Sequence, residues 1–219
     1  MYWGKLYKGY TLQDWQKVMW SDEYYVYLSD DWGWIFVMHH TDEVLRDECV
    51  VPTFKKSSVC VMVWGCVMKG QKGPLVALEF KGGRGGGMNS AQYWEQVLEA
   101  VLQPFYTEMK EKRGKVLFQQ DSASCHTSKV TKKWLSNAGI HFLYHPASSP
   151  DFNPIEPVWH ELKKCLHALP HLPNTVQQLR AAVLAAWDSL PIEDVDKHII
   201  TMPDCVQAVL AAKGGHTRF

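Results

Sequence analysis

Asp121 closes the run VLFQQD (116–121), in which an apolar stretch suited to a buried strand ends in a polar pair and a lone carboxylate. Open α/β sheets place their sites at the C-terminal ends of strands. The small residues that follow, Ser122, Ala123 and Ser124, leave room for a ligand or an ion. Glu156 lies 34 intervening residues further on, at the mouth of an expected helix, so one helix–strand–loop crossover separates the two acids. Asp22 sits in an earlier apolar and aromatic run, flanked by Ser21 and Glu23. If its strand pairs beside that of Asp121, three carboxylates converge. Acids so placed repel one another, and divalent cations resolve the repulsion. Mg²⁺ takes oxygen ligands from a few carboxylates and from substrate phosphates. Two such ions about 3.5–4 Å apart can activate a water or hydroxyl and stabilise the leaving oxygen in phosphodiester cleavage.

Each of these residues also has a plainer reading. Asp121 alone fits a turn or a helix cap. Asn153 as N-cap, Pro154 at the first helical position and Glu156 three after the cap make a capping box. Asp22 fits a charge on an edge strand. Asp151 is a rival third carboxylate, although a Pro-rich loop holds a ligand less rigidly than a helix start. His126 is read as starting the following helix through a side-chain hydrogen bond, in preference to a catalytic role. Trp64 and Trp159 are read as core.

Composition narrows the classes. A chain of 219 residues that is 46% hydrophobic can build one domain with a full core, and its ten Trp argue against disorder. No apolar run is long enough to span a bilayer, and MYWGKLYKGY lacks the apolar region of a signal peptide. The six cysteines form no CxxC pair and read as reduced thiols of an intracellular protein, leaving a zinc site from Cys125 and His126 with little support. Lys+Arg and Asp+Glu balance at 23 each, which argues against an autonomous, tight nucleic-acid binder. It leaves room for an enzyme delivered to DNA by another domain. The basic clusters at 110–115, at Lys129, Lys132 and Lys133, and at Lys163 and Lys164 read as solvated faces.

The elements that must position the acids follow from periodicity. Strands are expected at 15–28, 34–38, 58–67, 74–80, 115–120 and 140–145, with a turn at 30–33 and a flexible glycine loop at 81–87. A helix capped by Asn89 or Ser90 carries the stripe Tyr93, Val97, Val101 and Phe105, with Trp94, Leu98 and Leu102 beside it. A short helix capped by Thr127 or Ser128 stops at Gly139. Trp159, Leu162, Leu166 and Leu169 share one helix face, Thr175 and Gln178 form a capping box for a helix to Leu190, and two short helices close the chain. Strands first, then alternating helix and strand, indicate a mixed α/β sheet flanked by helices.

The runs WSDEYYVYL, VMVWGCV, QQDSASCHTSKVTKKWL, SPDFNPIEPVWHELKK and MPDCVQAVLAAKGGHTRF, in this order from about Trp15 to Phe219, resemble the catalytic domain of mariner-superfamily transposases. SPDxNPIE after QDxAxxH at this spacing is the most specific part. The resemblance implies an RNase H-like fold and an Asp-Asp-Glu triad at Asp22, Asp121 and Glu156. It implies two Mg²⁺ or Mn²⁺ ions, held by those three residues, for DNA strand cleavage and strand transfer. Ser122, His126 and Asn153 are expected to support the site. The implied partners are transposon ends and target DNA, the implied assembly a homodimer, and the implied location, in a eukaryote, the nucleus. Two departures stand out: Ser122 where the family has Asn, and Cys205 where it often has Arg. The chain is expected to be a single catalytic domain over 1–219, with 1–14 a remnant of linker and the family's N-terminal helix-turn-helix units absent. The alternative is a non-catalytic relic retained as an interaction domain.

Overall fold

The computed structural model describes residues 1–27, 60–79, 87–147, 149–215 and 217. The strand and turn expected within 30–38 lie outside these residues, as does nearly all of the glycine loop at 81–87.

β2 (Cys60–Met68) is buried along most of its length because both faces of the sheet are covered. It pairs antiparallel with β3 (Gln71–Ala77) on one side and with β1 (Val18–Tyr27) on the other, and β1 pairs in parallel with β4 (Leu117–Gln119). The order is β3-β2-β1-β4, a mixed sheet. Alternation along each strand sorts side chains to opposite faces. Val18, Trp20, Val63 and Val67 join one core with α7 (Ile155–His167), α8 (Val176–Ser189), α9 (Ile192–Ile200) and α10 (Met202–Ala211). Met19, Trp64, Cys66, Met68 and Phe118 join the other, with the helical run from Ser90 to Arg113.

That run begins as α3 (Ser90–Tyr93) on the expected Asn89 cap, which accepts from the Ala91 and Gln92 amides. It winds as a π-helix through Trp94–Leu102 and finishes as α4 (Gln103–Arg113). The wider winding changes which residues face inward. Leu98 and Leu102 are fully buried, Val101 only partly, and Trp94 is exposed. After α5 (Ser124–Thr127), Ser128 caps α6 (Lys129–Asn137) by accepting from the Thr131 amide, and Gly139 ends the turn at φ +64°. At α8 Thr175 caps Gln178 as expected, but the Gln178 side chain accepts from Asn174 rather than from the cap residue.

Two expectations need correction. The first strand starts at Val18, not Trp15, because Thr11 and Asp14 form a reciprocal capping box that holds α2 (Leu12–Trp15) helical. Within residues 1–14, two short helices pack on the rest of the chain. α1 (Tyr2–Tyr7) buries Trp3 and Tyr7, and Trp3 stacks on Phe152 at 4.5 Å. Residues 140–145 make one bridge, Phe118 with Phe142, instead of a strand. The Phe118 amide bonds His141 and the Leu143 amide bonds Phe118, but the Tyr144 carbonyl accepts from the Tyr7 hydroxyl at 3.0 Å, and Pro146 has no N–H to continue a ladder.

Candidate active site

The parallel register brings Trp20 level with Gln119, so Asp22 and Asp121 each follow two residues beyond a matched pair. The junction is tied twice: the Ser21 amide donates to Gln119 Oε1 at 3.1 Å, and Ser21 Oγ donates to the Gln119 carbonyl at 2.7 Å. β1 is an inner strand, which removes the edge-charge reading of Asp22. Glu156 comes in from α7. Asn153, 5% exposed, donates from Nδ2 to the Ser21 carbonyl at 3.1 Å, anchoring the mouth of α7 to β1. The expected capping box is not formed. Pro154 stands at the N-cap with no side-chain cap, and Asn153 Oδ1 lies 3.5 Å from the Ile155 amide. Glu156 is therefore not spent on the helix end. Asp22, Asp121 and Glu156 line one cleft of about 370 Å³, together with Gln119, Ser122, His145 and Asn153. Asp151 does not line it.

Asp121 does double duty. Its Oδ1 accepts the Ala123 amide at 3.0 Å, the turn contact anticipated for an aspartate here, and also contacts His126 Nδ1. His126 is 2% exposed, and its Nε2 reaches Glu23 Oε1 at 3.2 Å. The histidine thus bridges two acids, and Ser128 caps the helix it was expected to start. Glu23 was read only as a flank of Asp22. The pleat turns the two to opposite faces: Asp22 meets Trp159, and Glu23 meets His126 beside the Tyr93 ring, 4.4 Å away. Trp159 is core, as expected, but its indole N–H also donates to Asp22 Oδ2 at 2.9 Å. Neither partnership has a spacing signal, since both span more than 100 residues.

The electrostatics are those of a site short of positive charge. Burial, then the charge of Glu156, pushes Asp22 up to about 8, against the pull of the Trp159 hydrogen bond. Burial also raises Glu156, with Asp121 adding repulsion. Burial works the same way on Asp121, but there the His126 and Ala123 hydrogen bonds prevail and hold the carboxyl below its usual range. Burial disfavours a charged His126, but the neighbouring Tyr93, then the hydrogen bonds with Asp121, Cys125 and Glu23, outweigh that and raise it. Asp22, Asp121 and Glu156 share the cleft, while His126 bridges Asp121 to Glu23. An all-oxygen donor set facing open volume, with two members resisting ionisation, fits a hard divalent cation. Among the described residues, the ligand atoms of Glu23, Asp121 and His126 lie within 4.8 Å of one another. There, however, His126 already bonds both acids, and an ion would have to displace it. The cleft lined by Asp22, Asp121 and Glu156 has the room.

A pH dependence follows without added metal. Asp22 titrates near 8 in the folded protein against about 3.8 in a free carboxyl, so its contribution is complete below 3.8 and is lost as pH rises toward 8. The melting temperature of the wild type is expected to fall relative to Asp22→Asn between pH 4 and 8. Parallel melting curves across that range would contradict the burial of Asp22.

Similarity to known proteins identifies the family. Residues 60–180 match the family model for the DDE superfamily endonuclease. The Tc1 transposase of Caenorhabditis elegans is 32% identical over 221 residues, covering 99% of this chain and 76% of that protein. The Tcb1 transposase of Caenorhabditis briggsae is 30% identical over 220 residues, with the same coverage. The Mos1 transposase catalytic domain, solved with Raltegravir and Mg, superposes with a TM-score of 0.69 at 17% identity, over 99% of this chain and 92% of that one. The Mos1 mariner paired end complex with Mn gives 0.68 at 16% identity, over 99% and 60%. The chain belongs to the DDE superfamily of endonucleases, which cleave DNA. Its RNase H-like sheet is that of a Tc1/mariner-type transposase catalytic domain.

Proposed function

We propose that Asp22, Asp121 and Glu156 are the acidic triad of this domain and hold two Mg²⁺ or Mn²⁺ ions while DNA is cut at the ends of a mobile element and joined to a target. The observation that carries the assignment is that β1, β4 and α7 deliver these three carboxylates, and not Asp151, to one cleft. When bound, the ions supply charge for the phosphates and activate water or a 3′-hydroxyl. The chain's own part is positioning. His126 and the Ala123 amide fix one oxygen of Asp121, Asn153 fixes the start of α7, and Ser122 lines the entrance. Joining two ends to one target calls for two such sites, which a homodimer supplies, and in a eukaryote chromosomal DNA as substrate calls for a nuclear location.

The test is nicking of supercoiled plasmid by the purified protein. Nicking is expected with Mg²⁺ or Mn²⁺, is abolished by chelator, and favours DNA duplex over an RNA–DNA hybrid. Metal-independent nicking would refute the reading, and a preference for the hybrid would reassign the substrate.

A further inference from the structure

We infer that Trp159 is a positioning residue for the metal site: its indole N–H holds one oxygen of Asp22, so that the carboxylate presents the other to the cation. This rests on the proposal that Asp22 is a metal ligand.

Burial alone does not demand such a bond in this protein. Trp3, Trp15, Trp20 and Trp64 all bury indole nitrogens without a partner. Trp159 is as deeply buried, at 1% exposed, yet spends its N–H on a carboxylate of the cleft, at 2.9 Å. A terminal carboxylate torsion is soft, so a single fixed donor decides which oxygen remains free. The indole itself is clamped. It stacks on Tyr24 at 5.4 Å and 12°, and it lies 5.6 Å from the Trp187 ring.

Gly65 makes the arrangement possible. It is the β2 residue opposite Asp22 in the antiparallel register. A Cβ on Gly65 would sit 2.9 Å from Trp159 Cη2 and 3.0 Å from Leu75 Cδ1. A side chain at 65 would press on the indole and on Leu75, so one of them would have to shift. Asp22, Gly65 and Trp159 thus form one unit drawn from β1, β2 and α7. Groups that orient metal ligands in this way are typically worth about 10–100-fold in metal affinity.

The experiment measures Mg²⁺ binding without DNA, as the rise in melting temperature with Mg²⁺ concentration, for wild type, Trp159→Phe and Asp22→Asn. Phe keeps an aromatic ring between Tyr24 and Trp187 and removes the donor. Trp159→Phe is expected to need about 10–100-fold more Mg²⁺ for the same shift, and Asp22→Asn to show almost none. Wild-type Mg²⁺ dependence in Trp159→Phe overturns the inference. Wild-type dependence in Asp22→Asn overturns the metal-site reading instead. Should Trp159→Phe fail to fold, the indole N–H resonance of Trp159 in the wild type decides. It is expected to shift with Mg²⁺ and saturate at the same concentration as the thermal shift, and a resonance indifferent to Mg²⁺ overturns the inference.

Discussion

Asp121→Asn is expected to lower metal-dependent DNA nicking by about 10³-fold or more, the equivalent of the several kcal/mol of transition-state stabilisation that a correctly held cation supplies. The substitution is nearly isosteric. Asn retains an oxygen to accept the Ala123 amide, so the turn after β4 survives. What it loses is the negative charge facing the cleft. The Asp121 side chain is 50% exposed, and His126 keeps its contact with Glu23, so the cost to folding should be small. The assay therefore pairs two readings on the same preparation: nicking rate at saturating Mg²⁺ and melting temperature. Loss of nicking with a near wild-type melting temperature supports a chemical role. Nicking within tenfold of wild type would remove Asp121 from the chemistry.

Gly73→Ala is expected to cost about 3 kcal/mol of stability or more, at the upper end for an overpacked core. Gly73 is a buried residue of β3, and its missing side chain is occupied space. A Cβ there would run into Cys66 Sγ and lie 2.8 Å from both the Cys66 carbonyl oxygen and Phe105 Cε1. The β2–β3 register is irregular between Gly65 and Val67, which draws Cys66 toward Gly73. The Gly73 carbonyl also accepts the Trp187 indole N–H at 3.0 Å, so a shift of β3 to relieve the clash would break that bond. For a chain of this size the loss corresponds to a fall in melting temperature of about 6–12 °C. Cys66→Ala in the same chain should restore part of it, because it removes the Sγ while the backbone and Phe105 contacts remain. A Gly73→Ala protein that melts within a degree or two of wild type would show that the sheet yields there at little cost.

Much of the fold was legible because periodicity is local. The two-sided burial of β2, the Asn89, Ser128 and Thr175 caps and the stop at Gly139 each follow from a few neighbouring residues. The failures have physical causes. The Thr11–Asp14 box outweighs the β propensity of Trp15, and π-winding turns Trp94 outward. The edge near 140–145 ends early because the Tyr144 carbonyl has another donor. At the site, Asp121 and Glu156 were visible as a strand-end and a helix-start carboxylate, which is local information, and Asp22 only as an acid within a strand. Of the residues that hold them, His126 and Asn153 were anticipated and the others were not. Glu23, Trp159 and Gly65 acquire their roles from pairings across more than forty residues.

Diffraction from crystals soaked in Mn²⁺, recorded at the manganese absorption edge, asks the central question most directly. Anomalous density in the cleft, within coordination distance of Asp22, Asp121 and Glu156, is the predicted result. Manganese bound instead between Glu23 and His126, or none near these acids, would contradict the account.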